Sequence, residues 1–189
     1  MDRGFVMKTL AVFGDSLAEG YGLKASDALP AVLQRLLRAE GMDITVHNFG
    51  VSGETSEDGL ARIKTVLKSK PDAVVIEFGA NDFYIGDEPE FIRENVRALC
   101  KAFLDKNIPV LLAGIKAIPD VGEEYKAAFD RVFPELAEEL GVPLFPDVLA
   151  PYFGNPLKTL MDGLHPNESG VESMAQAMLP HVRLLMKKA

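Results

Sequence analysis

Cysteine, tryptophan and long apolar runs are what this sequence lacks most clearly. Its 189 residues contain no tryptophan, and Cys100 is the single cysteine, which excludes an intrachain disulfide. Cys100 lies in VRALCKAFL at a core-facing position of a helical pattern, so we predict a buried structural thiol. No apolar run approaches the roughly 20 residues that a membrane-spanning helix needs.

Positive charge is also in short supply. Lysine and arginine number 20 against 28 acidic residues, for a net charge of −8, and the acidic residues are spread along the chain. This balance argues against electrostatic binding to nucleic acid or to an anionic membrane surface, but it leaves room for one acyl chain in a pocket. The sequence has no internal repeat, low-complexity tract or Ser/Gly-rich linker. We therefore predict one domain over residues 1–189.

The N-terminal segment MDRGFVMKTLAVFG does not have the pattern of an export signal, because its apolar stretch is short and runs directly into a candidate site. The expected location of the chain as written is the cytoplasm. If a leader has been removed, the expected location is the periplasm or the cell exterior.

Short apolar runs alternate with longer segments of helical period. The runs read as strands buried on both faces, and they are TLAVF (9–13), ITVHNF (44–49), AVVIEF (73–78), VLLAG (110–114) and PLF (143–145). Helices are predicted around 32–37, over 56–70 with Ser56 as the cap, over 90–106, through 129–140 with a kink at Pro134, and over 167–185 with a kink at Pro180. This alternation predicts an α/β fold, a parallel sheet with helices on both faces.

Polar motifs follow the predicted strands, where ligands bind in sheets of this kind. The first strand leads into GDS (14–16), the second into NFGVSGET (48–55) and the third into GANDF (79–83). A long connection after the fifth strand, PDVLAPYFGNPLKTLMDGLHP (146–166), ends in Asp-Gly-Leu-His-Pro. Long irregular loops in compact domains are usually functional or disordered, so this one is a candidate for function.

Ester cleavage needs the residue types that these motifs supply. A serine such as Ser16 is a poor nucleophile until a base takes its proton, and His165 is the best base candidate in the chain. Asp162 lies three residues before His165 and can fix the tautomer of its ring. Donors for the developing oxyanion are the Ser16 N–H, the Gly50 N–H and the Asn81 side-chain amide.

Each of these residues has an ordinary alternative. Ser16 could cap the next helix or bind a phosphate, Gly50 could serve backbone conformation, and Asn81 could cap a helix. Asp162 and His165 could be turn and loop residues without chemistry. All five residues lie at the same predicted edge of the sheet, and this shared position favours a catalytic site. The other histidines fit it less well, since His47 lies within a strand and His181 is expected at the surface.

Four motifs in order resemble the GDSL/SGNH hydrolase family over nearly the whole chain: GDSL (14–17), NFGVSGET, GAND and DGLHP. The resemblance implies a flavodoxin-like three-layer α/β/α sandwich with a five-stranded parallel sheet. It implies Ser16 as nucleophile, Asp162 and His165 as its partners, and Ser16, Gly50 and Asn81 as oxyanion-hole residues. No metal or cofactor is implied. Asp15 is expected to support the turn by hydrogen bonding.

Within that family the chain is most similar to the bacterial thioesterase/lysophospholipase group of small arylesterases, through GDSLAEGYGL, GVSGETSEDGLARI and FPELAEELGVPLFP. The chain departs from this group in two features. Ala80 replaces the second glycine of the usual GGND motif, and the pattern of an export signal, which many members carry, is missing from the sequence. The expected activity is hydrolysis of small-molecule acyl esters or thioesters through an acyl-serine, as an arylesterase, acyl-CoA thioesterase or lysophospholipase. The alternatives are a phosphate- or flavin-binding module and a carbohydrate O-deacetylase. Phe83, Tyr84 and the loop 114–125 either border the acyl pocket or only pack the loops.

Overall fold

The computed structural model describes residues 7–118 and 121–189. Residues 1–6, which begin the segment assessed for an export signal, and residues 119–120, inside the predicted pocket loop, lie outside the described residues.

A parallel five-stranded sheet with the order β2-β1-β3-β4-β5 forms the centre of the fold. Its strands are β1 (Lys8–Gly14), β2 (Ile44–Gly50), β3 (Ala73–Glu77), β4 (Val110–Ala113) and β5 (Leu144–Phe145). The three central strands β1, β3 and β4 carry the longest apolar runs and are buried along nearly their whole length. The predicted parallel α/β sheet is confirmed.

Helices pack in two groups around the sheet. They are α1 (Ser16–Glu19), α2 (Leu29–Ala39), α3 (Ser56–Lys68), α4 (Ala80–Ile85), α5 (Pro89–Leu104), α6 (Glu123–Leu140) and α7 (Glu168–Met186), with a 3-10 turn at Ala25–Asp27. Helix α2 packs on α7, while α5 packs on both α3 and α6. Apolar residues three and four apart, as in α5, form the buried face of each long helix.

Strand β2 departs from the prediction that every strand is buried on both faces. It lies at the edge of the sheet, and His47 and Asn48 in its second half are exposed. An edge strand has a neighbour on one side only, so its outer surface can stay in water.

Two helix details also differ from the predictions. Thr55, not Ser56, caps α3: its hydroxyl accepts the Asp58 N–H, and the Asp58 carboxylate accepts the Thr55 N–H. His181 is half-buried and packs its ring edge against Phe145, with 5.4 Å between the ring centroids, so the expectation of a surface residue is wrong.

Pro134 and Pro180 lie inside α6 and α7, and both helices continue past them. The kinks expected at these two prolines stay predictions. Cys100 is fully buried, as predicted, and burial raises the pKa of its thiol to about 12. In the described ranges, no helix combines the length and the apolarity that crossing a membrane requires.

Candidate active site

Ser16 is the first residue of α1, and it does not cap that helix. The cap is Asp15, whose Oδ1 accepts the Leu17 N–H at 3.0 Å, as expected for a residue that supports the turn. Because Asp15 fills the capping role, the Ser16 hydroxyl is free for other contacts. Ser16 is 9% exposed, so its side chain sits in a recess and not on the open surface.

His165 and Asp162 meet Ser16 across 149 residues of sequence. The Ser16 Oγ lies 3.1 Å from His165 Nε2, and His165 Nδ1 lies 2.7 Å from Asp162 Oδ2. Asp162 Oδ1 accepts the backbone N–H groups of Leu164 at 2.9 Å and of His165 at 3.0 Å. The serine, the histidine and the carboxylate predicted from the sequence therefore form one hydrogen-bonded chain.

The charge of Asp162 follows from these bonds. Burial alone would raise its pKa, but the hydrogen bonds from the His165 ring and from two backbone N–H groups hold the pKa below its ordinary value. Asp162 is therefore ionised at neutral pH and favours the Nδ1–H tautomer of His165, which leaves Nε2 free to accept a proton.

The loop that carries this pair is held from both sides. The Leu160 N–H donates to His165 O at 2.8 Å, and Thr159 and Pro166 form an antiparallel bridge. Tyr21 lies against the His165 ring with 4.4 Å between the ring centroids. The imidazole is thus fixed by its own loop and covered on one face by the loop that follows α1.

Asn81 reaches the site from the second position of α4, so it is not the cap of that helix. The cap position is Gly79, with a φ of 126°. Asn81 Nδ2 donates to Glu54 O at 2.8 Å and makes a longer contact of 3.3 Å with Asp15 Oδ2. One N–H of the amide is therefore firmly held, while the other has a weak partner next to Ser16.

Gly50 is explained by packing. A Cβ at this position would lie 2.0 Å from the Glu19 backbone nitrogen, so only glycine allows α1 to approach β2 this closely. The Gly50 N–H already donates to Asn48 Oδ1 at 2.8 Å, and Asn48 Nδ2 donates to Glu19 O. The structure thus matches the alternative reading of Gly50, backbone conformation, and does not leave its N–H free.

Gly53, the second glycine of the NFGVSGET motif, has a backbone N–H that is available as a donor. Gly53 has a φ of 85°, and within residues 7–118 and 121–189 its N–H has no hydrogen-bond acceptor. Its neighbours are both anchored at the site, because the Ser52 N–H binds the Glu19 carboxylate and Glu54 O binds Asn81. Sequence reasoning missed Gly53, although both glycines of NFGVSGET were available as candidates.

Arg62 ties the strand ends together from α3. Its Nη2 donates to Phe49 O at 2.9 Å and to Gly14 O at 3.2 Å, and its Nε binds the Glu54 carboxylate. The guanidinium lies 4.7 Å from the centre of the Phe13 ring. No sequence pattern singled out this arginine, which holds the ends of β1 and β2 beside Ser16.

Two buried carboxyl groups lie directly behind Ser16. Asp15 is fully buried and Glu77 is 1% exposed, and the Asp15 N–H points to Glu77 Oε2 at 3.4 Å. Burial is the main cause that raises the pKa of Asp15 to about 6, and burial together with the nearby Asp15 charge raises the pKa of Glu77. Burial and the facing Asp15 charge thus both favour the protonated form of Glu77.

A cavity of about 70 Å³ opens beside Ser16 and His165. Its walls are apolar apart from the site residues, and they include the predicted Phe83 and Tyr84, with Ile115 and Ile118 from the predicted loop. The segment after β5 adds two residues that the sequence did not indicate, Leu149 and Tyr152. No three of the described His, Cys, Asp and Glu side chains converge in a way that could hold a metal ion.

The sequence matches known hydrolases over most of its length. Residues 12–172 match the GDSL-like Lipase/Acylhydrolase family. The chain is 35% identical over 178 residues to an arylesterase of Vibrio mimicus, which covers 92% of this chain and 89% of the arylesterase. This chain belongs to the GDSL-like lipase/acylhydrolase family.

Two further relatives match this chain over a similar share of its length. Thioesterase 1/protease 1/lysophospholipase L1 of Escherichia coli K12 is 33% identical over 185 residues, covering 97% of this chain and 88% of that protein. The crystal structure of TesA aligns with a TM-score of 0.89 at 35% identity, covering 94% of this chain and 99% of the other. The predicted family, its fold and its general activity, an ester-bond hydrolase, are confirmed.

Ala80, where this group of GDSL hydrolases usually has glycine, is the first residue of α4 and lines the cavity. It is half-buried and packs against the core, so its methyl group fills space beside Asn81 that a glycine would leave empty.

Proposed function

We propose that this GDSL-family chain hydrolyses small-molecule carboxylic esters or thioesters, with Ser16 as nucleophile, His165 as general base and acid, and Asp162 as the group that orients His165. The observation that carries the proposal is the chain of contacts from Ser16 Oγ to His165 Nε2, 3.1 Å, and from His165 Nδ1 to Asp162 Oδ2, 2.7 Å. These atoms are within the distance at which a base can take the serine proton.

In the first half of the reaction, His165 Nε2 takes the hydroxyl proton while Ser16 Oγ attacks the acyl carbonyl carbon. A C–O bond forms, and the carbonyl electron pair moves onto oxygen to give a tetrahedral oxyanion. When this intermediate collapses, the bond to the leaving group breaks, and the alcohol or thiol takes the proton from His165.

In the second half, His165 takes a proton from water, whose oxygen attacks the acyl-serine. The new tetrahedral intermediate releases the carboxylic acid, and the proton returns from His165 to Ser16 Oγ. Throughout both halves, the carboxylate of Asp162 stabilises the charged form of His165 through the bond to Nδ1.

Three donors near Ser16 can hold the oxyanion. The Ser16 N–H is at the first turn of α1 and has no acceptor among the described residues. Asn81 offers the N–H that makes only the 3.3 Å contact with Asp15. We assign the third donor to the Gly53 N–H in place of Gly50, whose N–H is bound to Asn48.

The relatives' names suggest the leaving groups. An arylesterase releases a phenol, and a thioesterase/lysophospholipase releases a thiol or a glycerol hydroxyl. A phosphate- or flavin-binding role is disfavoured because the Ser16 hydroxyl faces His165 and not an open helix N-terminus. An acetylxylan esterase of Xylanibacter ruminicola is 28% identical, and this chain spans 43% of it, so the O-deacetylase alternative has weaker support.

A fluorophosphonate probe tests the nucleophile directly. Intact-mass measurement should show one adduct on the wild-type chain and none on Ser16→Ala. Ser26→Ala is the matched control, since Ser26 is an exposed serine of the 3-10 turn, and this variant should label like wild type. Near-normal ester hydrolysis by Ser16→Ala, or labelling at another serine, would exclude the proposed mechanism.

A further inference from the structure

The residues that line the cavity beside Ser16 differ widely in exposure. Tyr84 is 50% exposed, whereas Phe83, Ile115 and Leu149 are between 3% and 8% exposed. Tyr152 is 1% exposed, the least of the aromatic residues that line the cavity. The wall of the cavity therefore includes a large aromatic side chain with almost no contact with solvent.

The backbone holds Tyr152 in place. The Tyr152 N–H donates to Leu149 O at 3.1 Å, the Asn155 N–H donates to Tyr152 O at 3.2 Å, and Asp147 Oδ1 accepts the Leu149 N–H at 3.0 Å. Because the turn is hydrogen-bonded and the ring is buried among packed neighbours, the ring cannot swing away without disrupting them. Tyr152 therefore acts as a fixed wall of the cavity.

The hydroxyl of Tyr152 is buried and has no hydrogen-bond partner among the described residues. Burial is the main cause that raises its pKa, and the carboxyl groups of Glu77 and Asp15 raise it further, so the phenol stays neutral. Because the hydroxyl makes no hydrogen bond to the described residues, the part of Tyr152 that shapes the cavity wall is its ring.

The volume of the cavity sets the size of the group that it can take. One water needs about 10–15 Å³ of such space, so a cavity of about 70 Å³ admits only a handful of water-sized groups. We propose that the Tyr152 ring closes the end of the acyl cavity and limits the substrate to short acyl groups, of about two to six carbons. This inference rests on the proposed function, because it assumes that the acyl group of the acyl-serine occupies this cavity.

The test compares p-nitrophenyl esters from acetyl to dodecanoyl on wild type and on Tyr152→Val. The wild type should cleave the butyrate with a kcat/KM at least about tenfold above that of the octanoate, since a few methylenes without space can cost tenfold or more. In Tyr152→Val this ratio should shift towards the octanoate by about tenfold or more. Tyr152→Phe should keep the wild-type ratio, because it removes the hydroxyl and leaves the ring.

Phe103→Leu is the matched control, because Phe103 is fully buried in α5 and does not line the cavity. It should lower the melting temperature without moving the chain-length ratio. If Tyr152→Val does not fold, Tyr152→Leu shortens the same side chain less drastically and should shift the ratio in the same direction.

An unchanged ratio in a folded, active Tyr152→Val or Tyr152→Leu would overturn the inference, and so would an equal shift in Tyr152→Phe. Preference of the wild type for long chains would also overturn it. In each of these cases fluorophosphonate labelling of Ser16 still supports the proposed function, whereas loss of labelling in wild type removes both.

Discussion

Asp162→Asn is expected to disable the site by reversing the tautomer of His165. Asp162 Oδ1 accepts the backbone N–H groups of Leu164 and His165, and these groups can only donate. An asparagine at this position must therefore keep its carbonyl oxygen there and turn its NH₂ towards His165 Nδ1. Because that amide also donates, Nδ1 becomes an acceptor, and the ring proton moves to Nε2.

The magnitude follows from what Ser16 then faces. Its Oγ lies 3.1 Å from Nε2, which now carries a hydrogen and cannot take the serine proton. The expected loss in kcat is about 10⁴-fold, the size found when a triad aspartate is replaced by its amide in an otherwise intact site. At 1.36 kcal/mol per tenfold, this is about 5 kcal/mol of activation free energy.

The assay is steady-state hydrolysis of p-nitrophenyl acetate near pH 7.5, with thermal unfolding followed by circular dichroism to establish that the variant folds. Asp105→Asn is the matched control, because the Asp105 side chain is 68% exposed at the end of α5, and it should retain wild-type kcat. A folded Asp162→Asn with kcat within about tenfold of wild type would refute the role of Asp162 in setting the tautomer.

Two further variants test the oxyanion donor and the buried carboxyl groups. Asn81→Ala should lower kcat by about 10²–10³-fold with little change in KM. Equal losses on an acetate ester and on an acetate thioester would agree with one oxyanion donor that serves both substrates. An unchanged kcat would contradict the role of Asn81. The pKa of Asp15 is about 6 in the folded state against an ordinary 3.8, so the folded state binds more protons between these pH values. The free energy of unfolding should therefore fall as the pH rises through this range, by at most about 3 kcal/mol for Asp15. Glu77 has a raised pKa of its own, so Glu77→Gln removes a second group whose ionisation lowers stability over this range, and urea unfolding from pH 4 to 7.5 should show a smaller fall than in wild type. An equal fall would mean that the pKa of Glu77 is not raised in the folded state.

The sheet and the meeting of Ser16, His165 and Asp162 could be predicted because their signals are local. Runs such as AVVIE at β3 are apolar enough to identify a buried strand, and GDS and DGLHP lie directly beyond strand ends. Parallel strands bring such ends to one edge, so the meeting of Ser16 with His165 follows from the topology.

Other features depend on contacts that no local pattern contains. Helices α1 and α4 have four and six residues, which is too short to show a helical period, so Asn81 was not placed inside a helix. The difference between Gly50 and Gly53 depends on the Asn48 side chain, which takes the first N–H and leaves the second. Tyr152 lies in an irregular loop, where burial is decided by the packing of distant segments.

The separation of Ser16 from His165 by 149 residues has a consequence for synthesis. During translation the proposed nucleophile Ser16 emerges well before the proposed base His165, which lies 149 residues later in the chain. Helix α7, which packs on α2, comes later still. We therefore expect a chain that ends before His165 to lack hydrolytic activity, because it contains Ser16 without the base proposed for it.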